Sequence, residues 1–163
     1  MSVAFRREGD DEHLEPKFEI PIPPGPNLVT RRGLALINAR VAEVVAEVAR
    51  LTADGADQAR IDAARRDLRY WQTRQITAEL VPVPTGETVE IGTRVTFRHN
   101  GRERELTITG DDEADPGAGR IAFSAPLARA LLGAEPGELL EFAGKPDALE
   151  VLAIAVVPAD TSA

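Results

Sequence analysis

The 163-residue chain contains no cysteine, which excludes disulfide frameworks, thiolate zinc sites and cysteine nucleophiles. Histidine is nearly absent as well: His13 falls in a polar leading segment and His99 beside a turn signal. Neither supports a histidine metal cage or a nucleophile–histidine pair. Aromatic residues make up 4% of the chain. No apolar run approaches the ~20 residues that cross a bilayer, and Met1–Glu8 lacks the apolar stretch of a secretory signal. A cytoplasmic chain that does not engage membranes is expected.

Charge is present but unevenly spread. Acidic residues outnumber basic ones 27 to 19, a formal charge of -8. Residues 1–29 hold three basic and six acidic side chains, residues 30–80 nine and seven, residues 81–163 seven and fourteen. Polyanion affinity rests on clustered Lys and Arg, so nonspecific duplex binding by the whole molecule is disfavoured and only the middle segment is basic.

The chain reads as a succession of units. Residues 1–29 carry Pro16, Pro21, Pro23, Pro24 and Pro26, which cannot supply the amide donors of a helix or central strand, so an extended or disordered tail is expected. From Thr30, a plausible N-cap, the residues Leu34, Ile37, Val41, Val44, Val48 and Leu51 follow alternating spacings of three and four, the seam of a coiled coil. Asp54-Gly55-Ala56-Asp57 breaks the helix, and a second stretch places Ile61, Ala64, Leu68, Trp71, Ile76 and Leu80 on one side. The connection is so short that the two helices must run antiparallel, a hairpin over residues 30–81 reaching ~33 Å. Its thin seam calls for a brace at the base, with Trp71 against Leu34 or Leu36 as the expected contact.

Val81–Gly86 opens a linker, assigned to residues 82–88. Beyond it, residues 93–97 and 105–109 flank His99-Asn100-Gly101, the preferred signal of a tight β-hairpin. Residues 120–123 give a third strand, Ser124 caps a short helix ended by Gly133, and residues 138–142 and 149–157 complete a small antiparallel sheet with one helix. The class is α+β: a helical hairpin followed by a globular domain over residues 89–158 and a short tail over 159–163.

Two stretches carry a family resemblance. Gly110-Asp111-Asp112-Glu113-Ala114-Asp115, followed by Ile121-Ala122-Phe123-Ser124-Ala125-Pro126-Leu127-Ala128-Arg129-Ala130-Leu131-Leu132-Gly133, resembles the C-terminal domain of the bacterial transcript cleavage factors GreA and GreB. Pro24–Leu34, with Asn27, Thr30 and Gly33, resembles the segment that precedes the first helix in the GreB-like subgroup, here with a shortened hairpin. The resemblance implies an FKBP-like globular domain that docks on RNA polymerase at its secondary channel. It also implies an accessory factor, not itself an enzyme, whose hairpin helps the polymerase hydrolyse backtracked RNA. A monomer without a cofactor of its own is expected, sharing Mg²⁺ with the polymerase.

The same resemblance assigns roles. Asp54 and Asp57 become the acidic tip that assists catalysis and ligates Mg²⁺ only in the complex, although both also suit a turn and an N-cap. Arg65, Arg66 and Arg69, within a basic arm that includes Arg60 and Arg74, become contacts to the nascent RNA 3′ end. A solvated face pairing with Asp62 and Asp67 is equally open. Asp111, Asp112, Glu113, Ser124 and Pro126 become polymerase-docking residues. Two other functions stay open: a channel-binding regulator or inhibitor without cleavage activity, and a prolyl isomerase of FKBP type, disfavoured by the sparse aromatics.

Overall fold

The computed structural model describes residues 18–159. The first seventeen residues, with His13 and most of the expected tail, and the last four lie outside the described residues.

Helix α1 (Arg31–Ala53) begins where the Thr30 hydroxyl accepts the Gly33 amide at 3.0 Å, the capping expected from the sequence. Its expected seam faces α2 (Gln58–Thr77). Ile37 and Leu51 are buried and Leu34, Val41, Val44 and Val48 half-buried. At the far end Leu51, Ile61 and Ala64 form a small apolar cluster with Val48 and Ala56. The cluster is too small to hold two exposed helices by itself. Ile76, five residues past Trp71, falls outside the alternating seam and is 83% exposed, and because α2 stops at Thr77, Leu80 leaves the expected seam as well and is 50% exposed. The cause lies next door: β2 (Glu79–Leu80) is drawn into parallel pairing with β1 (Leu28–Val29). Hence residues 27–29, expected in the tail, belong to the folded base, where Asn27 and Val29 are buried.

The second unit is a five-stranded sheet in the order β5-β4-β3-β7-β6. Its strands are β3 (Thr93–His99), β4 (Arg102–Thr109), β5 (Arg120–Ala122), β6 (Leu139–Phe142) and β7 (Lys145–Val156). Asn100 and Gly101 both take positive φ, 51° and 72°, as a two-residue hairpin turn requires. Alternation along β3 sends Val95 and Phe97 into a core shared with Ile108, Leu149 and Val151. Helix α3 (Pro126–Leu131) adds Ala128 and Leu131 to that core and ends at Gly133 in the left-handed region.

The sheet is mixed, not purely antiparallel, because β5 runs parallel to β4. After β4 the chain passes through two 3-10 turns, Asp111–Glu113 and Pro116–Ala118, and so re-enters the sheet in its original direction. That detour holds the acidic motif against the base of the hairpin. Among the described residues, no helix is long and apolar enough to cross a membrane.

Candidate functional site

The hairpin and the sheet meet at a buried ionic joint. Tyr70 and Arg74 stand one turn apart on α2, so their side chains project from the same face. They reach one carboxylate: the Tyr70 hydroxyl donates to Asp112 Oδ1 at 2.5 Å and Arg74 Nε donates to Asp112 Oδ2 at 2.5 Å. The Arg74 side chain is 2% exposed and that of Asp112 5%. Arg74 Nη2 lies 3.8 Å from Asp111, and the Ser124 hydroxyl donates to Asp111 at 2.5 Å. Burial, and then the hydrogen bond to Asp112, push the Tyr70 phenol above its ordinary range.

The start of α1 closes the other side. Thr30 donates to Glu113 Oε2 at 2.7 Å, and Arg32 Nη1 lies 3.5 Å from Glu113 Oε1. Glu113, only 4% exposed, approaches α1 at a glycine: a Cβ on Gly33 would sit 2.6 Å from Glu113 Oε2. Asn27 completes the base, its amide donating to the Arg74 carbonyl at 2.8 Å and to Thr77 Oγ at 3.2 Å. The two motifs that stand far apart in sequence, Asn27/Thr30/Gly33 and Asp111-Asp112-Glu113, therefore form one structure.

Several expected placements change accordingly. The carboxylates of Asp111, Asp112 and Glu113, expected on a docking surface, are turned into the joint, and Ser124 serves Asp111 instead of capping α3, whose N-cap position is Ala125. Of the five expected docking residues only Pro126 is exposed. Arg74, counted with the basic arm, is 1% exposed and points away from solvent. Trp71, the expected brace, is half-buried, with the Arg40 guanidinium 5.6 Å from its ring and the Tyr70 ring 5.1 Å away. An arginine at a helix position with a neighbouring tyrosine at i−4 is a weak signal, and only the unpartnered acidic motif hinted at what it pairs with.

At the opposite end, Asp54 and Asp57 flank a tight turn. Asp54 is the C-cap of α1, and its amide donates to the Arg50 carbonyl at 2.9 Å. Its carboxylate, 63% exposed, lies 3.4 Å from Arg50 Nη1. Asp57 caps α2 by accepting the Arg60 amide at 3.0 Å. No group of three His, Cys, Asp or Glu side chains is placed to hold a metal among the described residues. Two exposed carboxylates alone fit a Mg²⁺ that keeps its waters and takes its remaining ligands from elsewhere, not a resident ion.

Arg65, Arg66 and Arg69 line one shallow depression on α2 together with Asp62 and Glu19. Arg65 lies 4.0 Å from Asp62. Arg69 is gripped in a two-pronged contact by Glu19 from the leading segment, at 3.0 and 2.6 Å. The Arg69 hydrogen bond holds the Glu19 carboxyl below its ordinary range. Both partners are more than half exposed, so the contact is open to competition and to screening by salt. A guanidinium fork that accepts a carboxylate this way presents the same geometry to a phosphate.

Comparison with known proteins finds one family repeatedly. A family model described as "Transcription elongation factor, GreA/GreB, C-term" matches residues 84–156. The chain is 30% identical over 141 residues to transcription elongation factor GreA of Pseudomonas putida, covering 85% of this chain and 82% of that protein. It is 35% identical over 113 residues to GreA of Rhizobium etli, covering 63% and 71%. Among solved structures, GreA factor homolog 1 of Thermus thermophilus aligns over 80% of this chain and 99% of that one, with 19% identity and a TM-score of 0.37.

Removing one side of a buried ion pair strands the other charge, so Asp112→Ala is expected to destabilise the protein by about 3–5 kcal/mol. Arg74→Met with Asp112→Leu should cost much less than the sum of the single changes, giving a strong coupling in a denaturant double-mutant cycle. Additive single effects would remove the joint from the account. Tyr70 is the chain's single tyrosine, so phenolate absorbance reports it alone. With the folded pKa raised, its contribution to stability holds below the ordinary value of about 10 and is lost as pH rises beyond it. Phenolate should appear only as alkali unfolds the chain. Ionisation near pH 10 with native circular dichroism would contradict the buried contact.

Proposed function

This chain belongs to the GreA/GreB family of transcription elongation factors, and from that premise we propose that it enters the secondary channel of bacterial RNA polymerase and stimulates cleavage of backtracked RNA. As a family member it is an accessory to the polymerase and not itself an enzyme. The observation that carries the proposal is the placement of Asp54 and Asp57 at the exposed apex of two helices whose opposite end is locked to the globular unit. A carboxylate can assist chemistry inside another macromolecule only when its support is stiff.

In this reading Asp54 and Asp57 add oxygen donors beside the polymerase's own Mg²⁺ site. The ion supplies charge stabilisation and an activated water. Capping by Asp57 uses one of its carboxylate oxygens, so it fixes the side chain without consuming the group. Arg65 and Arg66 contact phosphates of the extruded RNA 3′ segment, joined by Arg69 when Glu19 is displaced. Docking on the channel rim runs through the exposed start of α3 at Pro126. Asp111, Asp112, Glu113 and Ser124 act as positioning residues that set the direction of the hairpin. We place the chain in the GreB-like subgroup, on the segment Pro24–Leu34, and in the cytoplasm as a monomer.

A second reading is favoured by one specific observation. Arms of 23 and 20 residues give a hairpin of about 30–35 Å, and the Asp54 carboxylate at its tip already faces Arg50. A tip that stops short of the reacting atoms would occlude the channel instead of assisting cleavage.

The two readings separate in a backtracked elongation complex supplied with purified protein and Mg²⁺. Cleavage stimulation requires shortened RNA with the wild-type chain and loss of at least about tenfold in rate with Asp54→Asn and Asp57→Asn together, at unchanged polymerase affinity. Binding without shortened RNA, accompanied by slower nucleotide addition, would reject cleavage in favour of occlusion.

A further inference from the structure

A cleft of about 250 Å³ opens beside the joint, between the start of α1 and the strand ends of the sheet. Four guanidinium-bearing residues line it, Arg31 and Arg32 from α1, Arg94 from β3 and Arg120 from β5, in a chain whose formal charge is -8. Arg32 and Arg120 also reach Glu113 of the joint, whereas Arg31 and Arg94 serve neither the joint, the tip nor the basic arm.

The partners of those arginines leave capacity for an anion. Arg31 makes no ion pair among the described residues. Arg94 and Arg120 meet Glu105 at 3.6 Å and Asp115 at 3.3 Å, contacts in which both carboxylates are more than half exposed and so exchangeable, while Arg120 Nε donates to the Glu113 carbonyl at 3.4 Å and leaves Nη2 to the anion. Arg32 Nη1 is shielded from solvent yet makes no hydrogen bond, since its neighbour Glu113 Oε1 is 3.5 Å away. The ion pair with Glu113 partners that atom, and the rest of the side chain, 40% exposed, leaves further donors for an anion. Glu113 also lines the cleft, but its Oε2 is held by Thr30 and the Gly110 amide, facing the base of the hairpin. Apolar residues that include Pro82, Val83, Pro84 and Val157 complete the lining.

From this pairing of guanidinium groups with an apolar wall we propose that the cleft binds a nucleoside diphosphate, its phosphates on Arg31, Arg32, Arg94 and Arg120 and its base against the proline-rich wall. Arginine forks match phosphate oxygens in number and geometry. A flat heterocycle suits a rigid apolar surface that a free phosphate would leave uncovered. The bound ligand would bridge the first turn of α1 and the sheet, and so add to the stiffness that the buried joint provides. The site depends on no property of the polymerase.

ADP, inorganic pyrophosphate and adenosine titrated separately into the full chain, followed by backbone amide shifts and calorimetry, test the assignment. ADP is expected to bind saturably and more tightly than either fragment, with shifts at Gly92 and Thr107. Arg31→Glu with Arg94→Glu, both exposed and outside the joint, should weaken ADP about tenfold or more, whereas Arg65→Glu on α2 should leave it unchanged. Absence of saturable ADP binding in the millimolar range would overturn the proposal. Equal affinity for pyrophosphate would overturn the nucleoside assignment, and an equal loss with Arg65→Glu would show that only diffuse charge is being read.

Discussion

A guanidinium taken out of water is the constraint on which the rest of this molecule depends. Arg74 is almost wholly buried, and a charge in that position is tolerable only where counter-charges and hydrogen bonds are fixed around it. Asp112 supplies the direct contact and Asp111 a longer-range one, both from the turn that follows β4. The arginine therefore ties α2 to the sheet, while Glu113 ties the start of α1 to the same turn. The apolar seam between the helices holds the arms together. The ionic joint fixes their direction.

That division explains how a thin hairpin can serve as a rigid support. The apolar cluster at the tip is small, and most of the outer surface of the arms is exposed. Stiffness must enter from the base, where Thr30, Tyr70 and Arg74 converge on a single acidic turn and Asn27 holds the end of α2. Under the proposed function, roles separate along the length of the rod: positioning at the joint, exposed arginines on α2 for phosphates, and acids at the apex. Asp57 shows how local structure and chemistry coincide, since the cap that starts α2 also holds the carboxylate outward at the turn.

Much of this was legible in the sequence because local rules govern it. The Thr30 cap, the alternating seam, the Asp54–Asp57 break, the Asn100-Gly101 turn and the Gly133 helix end each depend on neighbours within a few residues. The failures are tertiary. An arginine five residues beyond Arg69 on a basic helix reads as surface charge, and only the fold reveals that Arg74 is buried. An acidic run reads as solvated or docking surface until α1 is laid across it, and a two-residue strand such as Leu28–Val29 has no periodicity to detect. Gly33 carried a motif without a reason; the reason is the Glu113 carboxylate that occupies the space a Cβ would need.

The absence of native cysteine permits a direct test of the fixed hairpin. Spin labels at Ala53→Cys on the tip and Glu103→Cys on the sheet, both exposed positions, report the distance between the two units in the free protein by pulsed electron resonance. A single narrow distribution is predicted, broadening when Asp112→Asn weakens the joint. A broad distribution in the otherwise native chain, unaltered by Asp112→Asn, would show that the arm swings freely and that the buried guanidinium does not set its direction.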